Sequence, residues 1–260
     1  MKRFLCLGAV LCLLLGWVGC GQVFRPIIIP NPPQFPNPAA AHTVVTLNDN
    51  GTFNDGSAMV IDVSGDSVVS IKSVGLNPVH AVMQSATQAL VVNQSNASLP
   101  QDSVTKLFFS GTTIGGTTTI TLPPSYDASG NLTTGAPNFV ATTEANQAYV
   151  LMPQYQPPNQ NNVGGTIVPS FAVINTTLGS TVTTIPVGNS PVAMVETPDG
   201  AKLYVANQGD GTLNAFNTRP SISTRTINGS PTAPPIWLSA RTDSQQVYVL
   251  EGNGTLGYLN

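Results

Sequence analysis

The stretch Ser190-Pro191-Val192-Ala193-Met194-Val195-Glu196-Thr197-Pro198-Asp199-Gly200-Ala201-Lys202-Leu203-Tyr204-Val205-Ala206-Asn207-Gln208-Gly209-Asp210-Gly211-Thr212-Leu213-Asn214-Ala215-Phe216-Asn217-Thr218 sets short apolar runs between turn formers. Val192–Val195, Leu203–Ala206 and Thr212–Phe216 have the brevity and the β-branched or aromatic content of strands. Pro198-Asp199-Gly200 and Gly209-Asp210-Gly211 supply a fixed proline φ and glycines free to adopt positive φ, which tight turns require. Ser223–Ile227 reads as a fourth strand. The unit is therefore a four-stranded antiparallel meander.

The same grammar recurs along the chain, and a recurring unit fixes the fold. A Gly-to-Pro junction opens units at Gly75 to Pro78, Gly135 to Pro137, Gly188 to Pro191 and Gly229 to Pro231. Second strands follow at Leu90–Asn93, Tyr149–Leu151, Tyr204–Asn207 and Tyr248–Leu250. Third strands end in an apolar residue and then Asp or Asn, at Asp62, Asn175, Asn217 and Asn260, where a short polar side chain can bond the next turn. Fourth strands run Ser67–Ile71, Val182–Ile185 and Ser223–Ile227. The fold expected is all-β, a β-propeller of four-stranded antiparallel blades, about four to five in this chain; a β-sandwich with similar strand spacing is the rival.

With Tyr204-Val205-Ala206-Asn207 as its nearest match, the region 43–260 resembles the Tyr-Val-Thr-Asn (YVTN) β-propeller repeat of bacterial and archaeal surface proteins. The resemblance implies a propeller and an extracytoplasmic setting, and it transfers no catalytic residue. The expected blades are 43–76, 77–135, 136–189, 190–230 and 231–260. By strand count the first lacks its innermost strand and the last its outermost, so the ring is expected to be incomplete, with further blades after Asn260.

The beginning of the chain carries an address. Lys2 and Arg3 precede an apolar run from Phe4 to about Leu15, too short to span a bilayer comfortably, and Trp17-Val18-Gly19-Cys20 closes it. The segment 1–19 resembles a lipoprotein signal peptide and 20–42 a lipidated Cys20 with a proline-rich spacer; an ordinary secretory leader is the alternative. Cys6 and Cys12 fall within the leader, so Cys20 is the one cysteine of the mature chain, which suits a thioether anchor better than an oxidisable thiol. Each buried acyl methylene contributes about 0.8 kcal/mol, so two or three chains anchor durably. Gly21 follows rather than Asp, which by the same resemblance points to the outer membrane of a Gram-negative bacterium. From Pro26 to Pro38 the prolines forbid helix and predict an extended tether, with Ile27–Ile29 as an edge strand the alternative.

Composition narrows the function classes. Charged residues make up 8% of the chain, which disfavours salt-bridged helices and favours strands and turns. The leader takes two of the nine Lys and Arg, leaving seven against twelve Asp and Glu with no basic run, so nucleic acid is not an expected partner.

No catalytic signature stands up. Gly252-Asn253-Gly254-Thr255-Leu256-Gly257 has dinucleotide-fingerprint spacing, but only three residues remain for the helix such a site needs, so it reads as a hairpin turn. Asp49-Asn50-Gly51-Thr52-Phe53-Asn54-Asp55-Gly56 gathers oxygens without the terminal bidentate Glu of a calcium loop and reads as an Asx-rich turn. His42 adjoins the spacer, and His80 has no second histidine in the folded part to share a metal. No catalytic residue, metal or cofactor is assigned. His80 and Trp237 are candidate channel-facing binding residues, in a set of innermost-strand side chains (Val79, Val82, Phe139, Val192, Met194 and Ile236 among them) that is nearly all apolar. Tyr126 and Tyr155 are candidate recognition residues in two polar insertions, Ser110–Thr134 and Pro153–Pro169, read as long loops. The expected function is a membrane-anchored binding or scaffold module for a protein or glycan partner. The alternative is a hydrolase resembling the lactonase-type propellers, with its site in the channel.

Overall fold

The computed structural model describes residues 43–260 apart from 52, 97, 145, 159–164, 220–221 and 228–230. The leader, Cys20, the spacer and His42 lie outside the described residues. The first sheet holds β1 (Thr43–Asn48), β2 (Asp55–Asp62) and β3 (Ser67–Leu76), and the second β4 (Pro78–Ser85), β5 (Gln88–Asn93), β6 (Ser103–Ser110) and β7 (Thr113–Thr121). A small hairpin, β8 (Ser125–Tyr126) and β9 (Leu132–Thr133), precedes the third sheet of β10 (Phe139–Ala141), β11 (Gln147–Met152), β12 (Ser170–Asn175) and β13 (Ser180–Pro186). The fourth holds β14 (Pro191–Glu196), β15 (Lys202–Asn207), β16 (Thr212–Asn217) and β17 (Ser223–Thr226); the fifth holds β18 (Pro235–Ala240), β19 (Val247–Glu251) and β20 (Leu256–Leu259). Every sheet is an antiparallel meander in chain order. The described residues contain no helix. This is a β-propeller.

Strand alternation builds the cores. In β5, Ala89 and Val91 pack toward the first blade while Leu90 and Val92 pack toward the third. In β11, Tyr149 and Leu151 face the fourth blade and Ala148, Val150 and Met152 the second. In β15, Leu203 and Val205 turn back to the third blade and Tyr204 and Ala206 forward to the fifth. A run apolar at every position thus fills two interfaces at once, which is why these second strands lack polar alternation.

A polar clasp explains the glycine and asparagine of the repeat. The Gly75 N–H donates to Asn93 Oδ1 at 3.1 Å, and Asn93 Nδ2 donates to Ser103 Oγ and Thr105 Oγ1. A Cβ on Gly75 would lie 2.7 Å from the Asn93 amide carbon. At the fourth blade the Gly188 N–H donates to Asn214 Oδ1, which also accepts from Asn207 Nδ2. Both second-strand asparagines are buried; the bonds satisfy both ends of the Asn93 amide, whereas at Asn207 they satisfy Nδ2 and leave Oδ1 without a partner. Immediately before each opening proline, Asn77, Ala136 and Ser190 have φ near +41°, +50° and +48°.

Two expectations are corrected. Ser110–Thr134 is not one long loop: Thr113–Thr121 is the outermost strand of the second blade, with Ile114 and Ile120 buried on opposite faces. Threonine there acts as a β-branched strand former rather than as loop filler. Innermost-strand side chains also do not simply line the channel, because side chains leave a sheet through its faces and the channel meets its edge. Met194 is buried between the third and fourth blades, and Val82 packs against the core between the second and third. The turn assignments are as expected: Asp62 Oδ1 accepts from the Ser64 N–H, Asn175 Oδ1 from Thr177 and Leu178, and Gly252-Asn253-Gly254 is the β19–β20 hairpin.

Candidate functional site

The innermost strands share a register that singles out one position per blade. His80 pairs with Val92, Phe139 with Leu151, Ala193 with Ala206 and Trp237 with Leu250, four equivalent places in successive sheets. In the second, fourth and fifth blades this residue lies two positions after Pro78, Pro191 and Pro235, across a register shift. Such an irregularity re-aims the side chain beyond it.

These equivalent residues form an aromatic row. The His80 and Phe139 rings stack with centroids 4.0 Å apart and planes 25° from parallel. Phe139 meets Trp237 edge to face at 5.6 Å, although a whole blade separates them in sequence. The intervening position is Ala193, fully buried and small enough to let the two rings meet. Trp237 remains 49% exposed, while His80 and Phe139 are half-buried.

His80 is held as a neutral ring. Its Nδ1 accepts the Val140 backbone N–H at 3.3 Å, which leaves the proton on Nε2 as a donor. Burial holds its pKa below the ordinary histidine value. The row therefore offers aromatic faces, an imidazole N–H donor and no charge, an arrangement that binds an apolar ring face or a carbonyl or hydroxyl acceptor. Among the described innermost strands the carboxylate is Glu196, and it is enclosed.

Glu196 belongs to a separate polar group at the end of the interface between the third and fourth blades. It is 4% exposed, and its Oε2 accepts the Thr143 N–H at 2.6 Å while Oε1 has no partner. Burial raises its pKa, opposed by the bonds from Thr143. Tyr149 beside it has its hydroxyl pKa raised by burial and then by the Glu196 charge, and its oxygen accepts from Gln147 Nε2 at 2.6 Å. Nearby, Arg219 pairs with Glu144, its Nε 2.7 Å from Oε1.

The insertion residues part company. Tyr126 is half-buried on β8, where its N–H donates to the Gln156 carbonyl, so the two insertions meet there. Tyr155 is 6% exposed within the core between the second and third blades, so of these two tyrosines Tyr126 offers the contact surface. Asp102, unremarkable in the sequence, anchors this region: its carboxylate accepts from the Ser95 N–H and hydroxyl, the Thr134 hydroxyl and the Gly135 N–H. Lys106 is also buried, its Nζ donating to the Thr176 carbonyl and lying 5.2 Å from the Phe108 ring centroid. Among the described residues no group of three or more His, Cys, Asp or Glu is arranged to hold a metal. Asp49 Oδ1 instead accepts the Gly51 N–H, closing an Asx turn.

Comparison with known proteins places the fold and stops there. No protein-family profile matches the chain, and no curated protein matches it. Among solved structures it is similar to a hydrazine synthase of Kuenenia stuttgartiensis, with a TM-score of 0.63 and 15% identity over 84% of this chain and 68% of that one. A crystal structure described as a putative 6-phosphogluconolactonase from Bacteroides uniformis gives 0.54 and 14% over 84% and 67%. The WD40 domain of Pan2 from Neurospora crassa gives 0.50 and 13% over 85% and 60%. The chain thus spans about two thirds of these neighbours' lengths, and the likeness is one of propeller architecture.

Proposed function

We propose that this chain is an exported, membrane-tethered propeller that binds a protein or glycan partner through the aromatic row of its innermost strands. The single observation that carries the reading is the His80–Phe139–Trp237 row, in which equivalent positions of different blades converge on an exposed indole. An exposed aromatic face beside a neutral donor suits a partner that buries an apolar surface and supplies an acceptor. The Cys20 lipobox-like segment and the spacer support tethering at the cell envelope, in the outer membrane of a Gram-negative bacterium. Propellers support binding and catalysis alike, so the site and not the fold argues for binding.

The test is capture from envelope extract by the full chain and by Trp237→Ala, with extracts pretreated by protease or by periodate to separate protein from glycan partners. The expected outcome is a partner set held by the native chain and lost by the variant. A capture pattern indifferent to Trp237 would remove the aromatic row from the reading. Hydrolysis of a lactone by the purified chain, abolished by an innermost-strand substitution, would replace binding with the lactonase-type alternative.

A further inference from the structure

Two hollows flank the interface between the first and second blades. An apolar groove of about 460 Å³ runs beside β1 and β4, lined by Thr43, Val45, Val60, Met83 and Phe109 among others. A second cavity, of about 440 Å³, lies at the Gly75 end of the interface and is polar. Asn93, Ser103 and Thr105 form its floor at 1%, 7% and 2% exposure, and Asp55, Ser73 and Thr119 stand exposed in its walls.

The next interface shows what such a space holds. There Met152, Ala172 and Thr184 take the positions of Asn93, Thr105 and Thr119: Ala172 lies between Val150 and Thr184 as Thr105 lies between Val91 and Thr119, and Met152 and Asn93 each stand two residues beyond that valine. Beside Gly135, the counterpart of Gly75, Tyr155 shares a core cluster with Met152 and Ala172, and its hydroxyl is hydrogen-bonded to the Thr184 side chain. Tyr155 comes from the β11–β12 connection, whereas the β5–β6 connection, residues 94–102, contains no aromatic residue. A six-membered ring with a hydroxyl at its edge thus fills one interface from within, and the same place at the first interface is open. The lining there differs in kind: an amide and a hydroxyl replace the Met152 thioether and the Ala172 methyl, so a ring that matches it is polar around its rim.

The hydrogen-bonding groups suit hydroxyls. Thr105 Oγ1 accepts from the Gly75 N–H and from Asn93 Nδ2, and Ser103 Oγ accepts from Asn93 Nδ2, so each keeps its own proton to donate. Asp55 offers acceptors, and its contact from the Ser73 hydroxyl is long at 3.4 Å. Among the described residues no lysine or arginine lines the cavity, which disfavours phosphate, sulfate and carboxylate ligands, and one carboxylate is too few for a divalent cation. We propose that this cavity binds one neutral pyranose unit, its ring in the place that Tyr155 takes one interface on, with vicinal hydroxyls donating to Asp55 and others accepting from Ser103 and Thr119. This site is separate from the aromatic row and does not depend on its function.

The probes are the methyl glycosides of glucose, galactose, mannose and N-acetylglucosamine, each titrated into the full chain with the threonine methyl groups followed by NMR. At least one is expected to bind saturably in the millimolar range, shifting Thr105, Thr117 and Thr119 and leaving Thr184 unmoved. Thr119→Val and Asp55→Asn are each expected to weaken it about tenfold. Both side chains are exposed, and an unchanged thermal midpoint verifies that the variants fold. A trisaccharide ending in the preferred unit and bound more tightly than the glycoside identifies a glycan as the source, and equal binding a free sugar; either agrees with the proposal. No saturable binding by any of the four overturns it. So does binding that is indifferent to both substitutions, or that is lost in Trp237→Ala, since the sugar then sits in the aromatic row.

Discussion

Between the third and fourth blades, Tyr149, Phe171 and Phe216 meet edge to face at 5.9 and 5.0 Å, and Leu151, Leu203 and Val205 close around them. Between the first and second, Ala58, Val60, Val74, Ala89 and Val91 carry the core, flanked by the apolar groove and by a polar cavity of about 440 Å³ beside Asp55, Asn93 and Thr105. The second-strand pattern is the same at both interfaces. What differs is the strand in front: β10 covers the fourth blade, whereas among the described residues no innermost strand stands in front of β4. A blade interface is therefore completed by the innermost strand of the preceding sheet as much as by its own apolar run, and side-chain size alone does not make it tight.

Paired core substitutions test this contrast most strongly. Phe171→Ala is expected to cost about 3–5 kcal/mol, because the surrounding rings cannot collapse into the space. Val60→Ala is expected to cost about 1.6 kcal/mol, the transfer of two carbon groups with little cavity penalty beside an existing groove. Urea denaturation with comparison of m-values checks both, and equal losses would dissolve the contrast.

The filled interface has its own flaw in Glu196. Its folded-state pKa is raised, so the folded chain holds a proton that the unfolded chain releases. The contribution of Glu196 to stability is thus fully present below the ordinary glutamate range, about pH 4.3, and is lost as pH climbs through the raised value, opposite in sign to that of the carboxylates whose pKa is lowered, such as Asp199 and Asp210. Glu196→Gln keeps an acceptor for the Thr143 N–H and removes the charge, so relative to the native chain it is expected to gain about 1 kcal/mol at pH 7 and little at pH 4. Thermal melts from pH 4 to pH 8 measure it; a variant that loses stability at neutral pH while matching the native chain at pH 4 would show that the charge is compensated.

The smallest effect is expected at the row of aromatic rings. Trp237→Ala removes one edge-to-face contact from a half-exposed residue and should cost about 0.5–1 kcal/mol, far less than Phe171→Ala, while abolishing capture of the partner. A loss as large as that of Phe171→Ala would make Trp237 a core residue and not a contact residue.

Much of the fold is legible because the repeat writes it several times. Second strands such as Tyr204–Asn207 carry both periodicity and flanking turns, and a strand buried on two faces must be apolar throughout. Thr113–Thr121 is harder to recognise because an outermost strand buries little, leaving only Ile114 and Ile120 to signal it among glycines and threonines. His80 and Trp237 stand out as rare residues on innermost strands, yet their link through Phe139 depends on Ala193 being small, and absence of bulk leaves no mark in a single sequence. Tyr155 and Asp102 show the converse: a tyrosine in a polar segment and an aspartate after a proline-containing loop look like surface, and each is drawn inward by contacts distant in sequence.

The glycine–asparagine clasp carries a kinetic consequence. Gly75 closes the first sheet but donates its N–H to an asparagine of the second, and Gly188, which follows the third sheet, donates to one of the fourth. Neither proton can exchange with solvent while its blade pair stays docked, although both lie at strand ends that would otherwise fray. Each acts as a clock for the parting of one pair of blades, and the ratio of the two rates reports whether the propeller opens from one end or comes apart as a single unit.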